Sequence, residues 1–456
     1  MTLPTLGWLR AELSGNSGSI ADTELRVCFD SRKLSAGDTF WALRGTRDGH
    51  EFVETVLKSG AAAAVVNRSF QLTDATLASK LIHVEDTMAA LSSAAHAWRK
   101  QLKGRVIGLT GSVGKTTTKD YVRAAFAVTC SVNATEGNFN NEIGVPLTIL
   151  RTPRESEVLI CEMGAARIGD IEHLCKIAEP QWGLVTAIAE AHIESFGSID
   201  NVMQTKGELF EYVANNGIAF VPLEDKRCVQ ASLNCRTRVG YGFQKPTADW
   251  ESAYVQGEDL VFDEEARARF EVHGAKIELS IPGRPAAQAA LAAMTIALQH
   301  GILPQQAAKA VSLAVPTKGR ATVRKVGTVT LIDDTYNASP ASMRSALETL
   351  SLRQGPRKIA ILGDMLELGE IADSAHRDVV GELDRAGVSL AVLIGPNFSH
   401  VASAAFTQAQ LRTYPSVDQA LPTLQQLIRA NDLVLIKASR GMALDRIVQK
   451  LEELFH

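Results

Sequence analysis

The stretch that decides the fold is Arg105-Val-Ile-Gly-Leu-Thr-Gly-Ser-Val-Gly-Lys-Thr-Thr-Thr118. Its apolar start predicts a short buried strand from Val106 to Leu109, followed by a glycine-rich turn and a helix that begins near Lys115. Backbone N–H groups in such a turn converge on an anion, and the helix N-terminus adds its positive dipole end. The stretch therefore predicts a loop that binds the phosphates of a nucleotide.

Several groups of this loop suit a nucleoside triphosphate. The Lys115 ammonium would lie beside the β and γ phosphates, and the Thr116 hydroxyl would ligate Mg²⁺. The expected phosphate contacts are Gly111, Ser112, Gly114, Lys115, Thr116 and Thr117. The loop is shorter than a strict Walker A motif, because Leu109 stands where that motif has its first glycine. An ordinary turn could share the glycines, but the strand, the Lys-Thr pair and the helix together favour ATP with Mg²⁺.

Length and composition indicate a globular protein of several domains. At 456 residues the chain is too long for one ordinary core. The formal net charge of −4 gives no basic field, which argues against nucleic acid as a partner. No apolar run reaches the roughly 18 residues that span a bilayer, so we expect no membrane insertion. Six cysteines without a C-x-x-C pair, and no secretory signal pattern at the start of the chain, predict a cytoplasmic protein.

Residues 1–84 predict a small mixed α/β domain. A short strand from Val27 ends in polar residues at Ser31 and Arg32, and residues 52–66 predict a helix followed by a strand. Ser31 and Arg32 would suit an anionic ligand. An ordinary solvated loop with a surface arginine would show the same pattern, so both interpretations remain open here.

Residues 85–314 alternate strands with helices, which indicates a mostly parallel sheet covered on both faces. Asn138, Asn140 and Asn141 precede an apolar helix in this region. Asparagines are typical of structured turns, but three so close together favour contact with a substrate. Glu162 ends a buried strand, a position where enzymes with phosphate loops commonly hold a carboxylate near Mg²⁺.

His192 and Lys206 follow the next predicted strand, at residues 182–188. A lone histidine is more often structural than catalytic, and a lone lysine nearly always lies on the surface. Spacing alone therefore assigns no role to either residue.

Residues 315–456 predict a second α/β domain, of the Rossmann-like type. Helical segments alternate with strands expected at residues 328–333, 358–362, 390–394 and 433–437. Polar residues gather just after these strands, where ligands of such sheets bind. The candidates among them are Asp334, Asn337, Ser439 and Arg440.

Together these motifs resemble the Mur ligases, the ATP-dependent amide-bond enzymes of bacterial cell-wall precursor synthesis. They are most similar to the member that joins D-alanyl-D-alanine to UDP-N-acetylmuramoyl-tripeptide. The resemblance covers nearly the whole chain and rests on these runs: Thr110-Gly-Ser-Val-Gly-Lys-Thr-Thr117, Gly137-Asn-Phe-Asn-Asn-Glu-Ile-Gly-Val-Pro146, Glu162-Met-Gly-Ala165, Asp333-Asp-Thr-Tyr-Asn-Ala338, Gly363-Asp-Met-Leu-Glu-Leu-Gly369 and Lys437-Ala-Ser-Arg440.

The resemblance implies a domain for the UDP end of the substrate (1–84), one for ATP (85–314) and one for the incoming D-alanyl-D-alanine (315–456). It also implies that Lys206 reacts with CO₂ to form a carbamate, which requires an ammonium that loses its proton readily. The carbamate would then help to ligate a second Mg²⁺, alongside His192 and Glu162. Asp334 is expected near the ribose and Arg320 near the nucleotide phosphates. We expect a monomer whose partners are these small molecules.

The chain departs from the family pattern after Arg284. The family usually has a His-Asn-x-x-Asn pattern there, with its asparagines near adenine, whereas this chain has Ala286 and Ala289 at those positions. Three alternatives to the implied activity are a related ligase that adds another amine, a phosphate-loop hydrolase acting as a switch or motor, and a binding protein without activity. The run from Asn140 to Pro146 argues against the first alternative, and the retention of Lys115, Thr116, Glu162, His192 and Lys206 argues against the third.

Overall fold

The computed structural model describes residues 2–14, 23–315 and 317–455 of the chain. Its strands are β1 (Val27–Cys28), β2 (Thr39–Trp41), β3 (Ala63–Asn67), β4 (Leu81–Val84), β5 (Arg105–Thr110), β6 (Val132–Ala134), β7 (Val158–Glu162), β8 (Trp182–Val185), β9 (Ile218–Pro222), β10 (Arg238–Gly242), β11 (Ala253–Gln256), β12 (Glu258–Phe262), β13 (Arg267–Val272), β14 (Ala275–Pro282), β15 (Thr322–Val326), β16 (Val329–Asp334), β17 (Lys358–Gly363), β18 (Val388–Ile394), β19 (Gln410–Tyr414) and β20 (Leu433–Lys437).

The helices follow the same chain order. They are α1 (Leu6–Ser14), α2 (Val53–Lys58), α3 (Thr87–Arg99), α4 (Lys115–Phe126), α5 (Gly144–Leu150), α6 (Asp170–Ala178), α7 (Ile193–Phe196), α8 (Ile199–Val213), α9 (Lys226–Ala231), α10 (Arg284–His300), α11 (Pro304–Leu313), α12 (Pro340–Leu352), α13 (Ala372–Gly381), α14 (Pro396–Ala402), α15 (Val417–Ala420), α16 (Leu424–Leu427) and α17 (Asp445–Phe455).

The chain divides into two compact units. Unit 1 comprises Met1–Gly108, Cys130–Gly164 and Gly169–Trp182, and unit 2 comprises Leu109–Thr129, Ala165–Ile168 and Gly183–His456. The predicted domain boundaries at residues 84 and 314 stay predictions, and Pro316, just after the second of them, lies outside the described residues.

Unit 1 opens with a parallel four-stranded sheet in the order β1-β2-β3-β4. Apolar residues of α2, including Val56 and Leu57, pack on the same core as Phe40 of β2 and Val66 of β3. The indole N–H of Trp41 donates to the Thr87 carbonyl at 2.7 Å, which fastens the sheet to the start of α3. This is the small mixed α/β region that residues 1–84 predicted.

The second part of unit 1 positions Glu162. Strand β7 is buried along its whole length and pairs in parallel with β6. Two side chains of α3 reach neighbouring carbonyls: Trp98 Nε1 donates to Thr152 at 2.9 Å, and Arg99 Nε donates to Ala178 at 2.7 Å. Because Thr152 follows α5 and Ala178 ends α6, these bonds tie three helices together around β7.

The first half of unit 2 carries the phosphate loop and α4. Strands β9, β10 and β11 pair in parallel, and β12, β13 and β14 form a separate antiparallel sheet. The buried helix α10 follows this sheet, and its His300 ring lies 4.9 Å from the Phe126 ring at the end of α4. Residues 215–280 thus consist mainly of the short strands β9 to β14, with the short helix α9 after the first of them.

The last third of the chain, which belongs to unit 2, contains a six-stranded sheet in the order β15-β16-β20-β17-β18-β19. All neighbours are parallel except β15 and β16. Separate apolar cores cover it, one around Leu347 of α12 and Val379 of α13, the other around Ile447 and Leu451 of α17. The order places β20 between β16 and β17, so residues that follow β16, β17 and β20 meet at one edge of the sheet.

Candidate functional site

The phosphate loop lies between β5 and α4, where the sequence predicted it. Gly114 caps α4 with a left-handed backbone, φ 82° and ψ −5°. Gly111 has φ 144°, and a Cβ added there would lie 2.1 Å from the Thr186 hydroxyl. Because L residues rarely adopt these φ values and no side chain fits at Gly111, both glycines are required by the backbone path.

The segment after β8 holds this loop in shape. Ser112 N–H donates to the Ala187 carbonyl at 2.8 Å, and its hydroxyl donates to the Ala189 carbonyl at 2.8 Å. Thr186 Oγ1 donates to the Val113 carbonyl at 2.6 Å. The Ser112 side chain, predicted to contact phosphate, is thus hydrogen-bonded within the protein.

Lys115 and Thr116 begin α4, as a phosphate site requires. The Lys115 ammonium donates to the Gly111 carbonyl at 2.6 Å, so its charge lies back along the loop. Thr116 is buried and sits in the first turn. The N-terminus of a helix favours an anion through its first-turn N–H groups and its dipole. The loop therefore has the backbone path, the cation and the helix end that hold a polyphosphate.

Glu162 is a buried carboxylate at the end of β7. Its Oε1 accepts a hydrogen bond from Asn140 Nδ2 at 2.9 Å, and its own N–H donates to the Thr135 hydroxyl at 3.0 Å. A Cβ on Gly164 would lie 2.9 Å from Asn140 Oδ1, so the asparagine is closely packed. Asn140 therefore orients the Glu162 carboxylate, which was predicted to lie near Mg²⁺.

The other two asparagines differ in what they contact. Asn141 Oδ1 accepts from the Gly144 N–H at 3.0 Å and so shapes the turn into α5. The Asn138 side chain is exposed. The cluster of asparagines that suggested a substrate contact is thus partly explained by internal structure, and two of the three, Asn138 and Asn141, are exposed.

His192 and Lys206 lie on two successive helical segments of unit 2. His192 caps the short helix α7 with φ 54°, and the Phe196 N–H of that helix donates to the His192 carbonyl at 3.1 Å. Lys206 in α8 is only 3% exposed, and its Nζ lies 5.5 Å from the centre of the Phe196 ring. A lysine with this burial is not the ordinary surface residue that its sequence context suggested.

Candidate nucleotide residues gather where β16 and β20 end. Asp334 Oδ2 accepts from Lys437 Nζ at 2.6 Å, and the same ammonium donates to the Asn337 carbonyl at 2.9 Å. The Arg320 guanidinium stacks 3.9 Å above the Tyr336 ring, and its buried Nε has no hydrogen-bond partner among the described residues. Lys437 was not among the residues predicted for the site, although β16 and β20 pair it directly with Asp334.

Ser439 and Arg440 have different surroundings. The Ser439 hydroxyl is buried, accepts from the Leu366 N–H at 2.8 Å and donates to the Ala338 carbonyl at 3.3 Å. The Arg440 side chain is exposed. Ser439 therefore connects the loops that follow β16, β17 and β20, while Arg440 is accessible to a ligand.

Ser31 and Arg32 lie in unit 1, in a single turn of 3-10 helix capped by Asp30. Arg32 binds the Asp30 carboxylate through Nε at 2.8 Å and through Nη2 at 2.9 Å. These hydrogen bonds lower the pKa of Asp30 to about 2. Because the Arg32 charge is already paired and exposed, the geometry suits a solvated loop as well as a ligand contact.

Two oxygen donors suit the expected metal ion. The Thr116 hydroxyl and the Glu162 carboxylate are of the kind that Mg²⁺ prefers, and each lies buried in its own unit. Across residues 2–14, 23–315 and 317–455, no three His, Cys, Asp or Glu side chains are already grouped for a metal. In the same ranges, no helix has both the length and the apolar character needed to cross a bilayer.

The adenine departure has a structural counterpart in α10. Ala286 and Ala289 are buried there. Gln288 is exposed, and its Nε2 donates to Glu224 Oε2 at 3.0 Å. The positions that carry asparagine elsewhere in the family therefore offer no polar group in this chain.

Two segments of the chain match domains of a known enzyme family. Residues 109–297 match the Mur ligase middle domain, and residues 319–440 match the Mur ligase glutamate ligase domain. The chain belongs to the Mur ligase family. The α/β fold class with a three-domain architecture of this family, expected from the sequence, is confirmed.

Relatives match this Mur ligase along nearly its full length. The UDP-N-acetylmuramoyl-tripeptide--D-alanyl-D-alanine ligase of Bacillus subtilis is 34% identical over 435 residues, 94% of this chain and 93% of that protein. A crystal structure of MurF from Acinetobacter baumannii is 28% identical, with a TM-score of 0.87, and the match covers 99% of this chain and 100% of that one. MurF from Thermotoga maritima in complex with ADP is 28% identical, with a TM-score of 0.81 over 94% and 98% of the two chains.

Proposed function

We propose that this Mur ligase joins D-alanyl-D-alanine to UDP-N-acetylmuramoyl-tripeptide in peptidoglycan precursor synthesis, with ATP converted to ADP and phosphate. The observation that carries the proposal is the match, over 94% of the chain at 34% identity, to a ligase of that name. The phosphate loop supplies the ATP site that such a reaction needs. The recognition made from the sequence motifs is therefore confirmed.

The chemistry has two steps. The terminal carboxylate of the tripeptide attacks the γ-phosphorus of ATP in line, which gives an acyl phosphate and ADP. The amine of D-alanyl-D-alanine then attacks the acyl carbon, and phosphate leaves with the C–O electron pair. Activation is needed because a carboxylate is a poor acceptor and oxide a poor leaving group. The Lys115 ammonium neutralises charge on the phosphoryl oxygens, and bound Mg²⁺ would supply further neutralisation there.

Residue roles are part of the proposal. Thr116 would ligate one Mg²⁺, and Glu162, His192 and a carbamate on Lys206 would help to ligate a second. The burial of the Lys206 side chain supports this role. Arg320 would contact the phosphates and Asp334 the ribose. Proposed substrate contacts are Ser31, Arg32, Asn138, Asn140, Asn141, Asn337, Ser439 and Arg440. The members of this set that are exposed, and so within reach of a ligand, are Arg32, Asn138, Asn141, Asn337 and Arg440.

We also propose a cytoplasmic monomer with domain boundaries near residues 84 and 314. All six cysteines are free thiols, which supports a reducing compartment. The two matched family segments, 109–297 and 319–440, support a boundary near residue 314. Sedimentation of the purified chain tests the monomer, since a dimer would double its mass.

Product analysis tests the activity. Purified protein is incubated with ATP, Mg²⁺ and UDP-N-acetylmuramoyl-tripeptide, with and without D-alanyl-D-alanine, and phosphate and the pentapeptide product are measured. We expect amide formation only with all substrates present. Equal use of glutamate or a diamino acid would favour a different ligase of the family. Steady ATP turnover without the UDP-peptide would favour a hydrolase.

The carbamate is tested at Lys206 itself. In protein equilibrated with ¹³C-bicarbonate, we expect a carbamate ¹³C signal that is lost in Lys206→Ala. That variant should lose activity by about 10²–10³-fold, because a ligand of the Mg²⁺ that would neutralise the phosphoryl oxygens is lost, and bicarbonate should not restore it. Lys226→Ala, in the exposed part of α9, is the control and should keep both signal and activity. A fully active Lys206→Ala enzyme would contradict the carbamate.

A further inference from the structure

The loop from Gly363 to Gly369 is one that the sequence singled out and the proposed mechanism leaves without a role. Its first half is fixed from inside the six-stranded sheet. The Asp364 carboxylate accepts from the N–H groups of Asn397 and Phe398, each at 2.9 Å. Met365 N–H donates to the buried His376 ring at 3.0 Å, and the Leu366 N–H to Ser439 at 2.8 Å. The loop is therefore held rigidly on its own sheet.

Glu367 projects from this rigid loop and meets His192. Its carboxylate Oε2 is hydrogen-bonded to His192 Nδ1. Beside that contact, the Glu194 N–H donates to the Glu367 carbonyl at 3.1 Å. A Cβ on Gly369 would lie 3.4 Å from Glu194 Cα, so the two backbones approach closely. The residues are 175 positions apart in the chain, and His192 lies in the middle-domain match while Glu367 lies in the glutamate ligase match.

Both residues have a left-handed backbone conformation, which residues other than glycine rarely adopt. His192 has φ 54° and Glu367 has φ 62°. Such conformations persist where the surrounding structure enforces them. The pair itself is half exposed, 40% for the histidine and 56% for the glutamate, so its ion-pair strength is small. Its consequence is orientation of the ring rather than stability of the fold.

The chemistry of the contact selects one form of the imidazole. An ionised carboxylate only accepts hydrogen bonds, so the proton between the two groups resides on His192 Nδ1. In the neutral ring Nε2 then carries the lone pair. A histidine that binds a metal ion through one nitrogen is ordinarily fixed in this way through the other.

We propose that Glu367 is a positioning residue for His192, which fixes the Nδ1–H tautomer and leaves Nε2 as the ligating nitrogen. The inference rests on the proposed function and deepens it. His192 lies in the segment that matches the middle domain, and Glu367 in the segment that matches the glutamate ligase domain. While the Glu367 loop contacts His192, the Nε2 lone pair of the histidine is available to ligate a metal ion. Contact between these two segments is thereby coupled to assembly of the catalytic site.

The test combines a spectroscopic readout with kinetics on the full chain. Long-range ¹H–¹⁵N spectra of protein labelled at histidine, assigned with His192→Gln, should show the Nδ1–H tautomer at His192. In Glu367→Ala that signal should move toward the Nε2–H form, and kcat should fall about 10- to 100-fold with KM values unchanged. Glu367→Gln, which retains an acceptor oxygen, should recover part of both. Glu370→Ala, an exposed glutamate three residues on, is the control and should match wild type.

Two outcomes would overturn the proposal. One is a His192 tautomer that is the same in wild type and Glu367→Ala. The other is a changed tautomer with kcat within twofold of wild type. Alanine retains the Cβ and hence the same backbone cost as glutamate, so misfolding is not expected, and a circular dichroism spectrum checks it. The tautomer measurement needs no substrate, so absence of ligase activity in wild type would count against the proposed function alone.

Discussion

Single residues of this chain show how a partner decides what a side chain can do. Ser112 and Ser439 stand in motifs that suggest ligand contact, yet each hydroxyl is hydrogen-bonded to backbone groups. Lys206 shows the opposite case. Lysine is normally exposed, but this side chain is only 3% exposed. The residue type sets the available chemistry, and the surroundings decide whether it is directed at a ligand.

Burial of Cys161 predicts a pH-dependent contribution to stability. Desolvation raises the pKa of this thiol to about 12, against an ordinary value of 9.0. Between pH 9 and pH 12 the thiol loses its proton in the unfolded chain and keeps it in the folded chain, so the unfolded state is stabilised relative to the folded state. The contribution is complete below pH 9 and is lost as pH rises toward 12. The free energy of unfolding should fall by up to about 1.4 kcal/mol per pH unit from this group.

Urea midpoints of wild type and Cys161→Ala at pH 8 to 11 test this expectation. The variant should be less stable at pH 8 by about 1 kcal/mol, and the difference should shrink as pH rises. Val158→Ala lies in the same buried strand and has no ionisable group, so its difference from wild type should stay constant. A Cys161→Ala difference that also stays constant would contradict the assigned pKa.

At the scale of elements, the phosphate loop depends on backbone geometry as much as on charge. Gly111→Ala should abolish ATP-dependent activity, because its φ of 144° is strained for alanine and the added Cβ would lie 2.1 Å from the Thr186 hydroxyl. The backbone conformation alone costs about 1–3 kcal/mol. ATP affinity by equilibrium dialysis and the urea midpoint should both fall.

Gly381→Ala is the matched control for that loop. Gly381 lies at the end of α13, and a Cβ there meets nothing within 4 Å. Alanine is a better helix former than glycine by up to about 1 kcal/mol, so this variant should be as stable as wild type or more so. Normal ATP binding by Gly111→Ala would show that the loop rearranges and that its path is not required.

On the scale of the whole molecule, ligand binding should stabilise unit 2, which contains the phosphate loop. ADP at 100 times its Kd should raise the free energy of unfolding by about 2.7 kcal/mol. Hydrogen exchange should slow in residues 109–129, where the loop and α4 lie. Thermal unfolding monitored with and without ADP measures the first effect, and mass spectrometry of exchanged peptides the second.

Lys115→Ala separates specific from general stabilisation by ADP. At the same ADP concentration this variant should show little shift, because the cation beside the phosphates is gone. Lys325→Ala changes an exposed lysine of β15 and should show the full shift. An equal shift in Lys115→Ala and wild type would place the nucleotide elsewhere.

Local patterns in the sequence determined much of this fold. The phosphate loop was predictable because its strand, glycines, lysine and helix are contiguous, and β5 and α4 lie where the residues indicated. Strands β16, β17, β18 and β20 were predictable because buried parallel strands read as apolar runs. Edge strands β15 and β19 were missed, since their residues are half-exposed and partly polar.

What only the tertiary structure decided are the contacts between distant segments. Asp334 and Lys437 are 103 residues apart and meet because β20 inserts beside β16. His192 and Glu367 meet although no local pattern connects them. Periodicity along a chain reports which face of an element is buried, because it reflects neighbours three or four residues away. It carries no information on which strand lies next to which, and that order decides which side chains share a site.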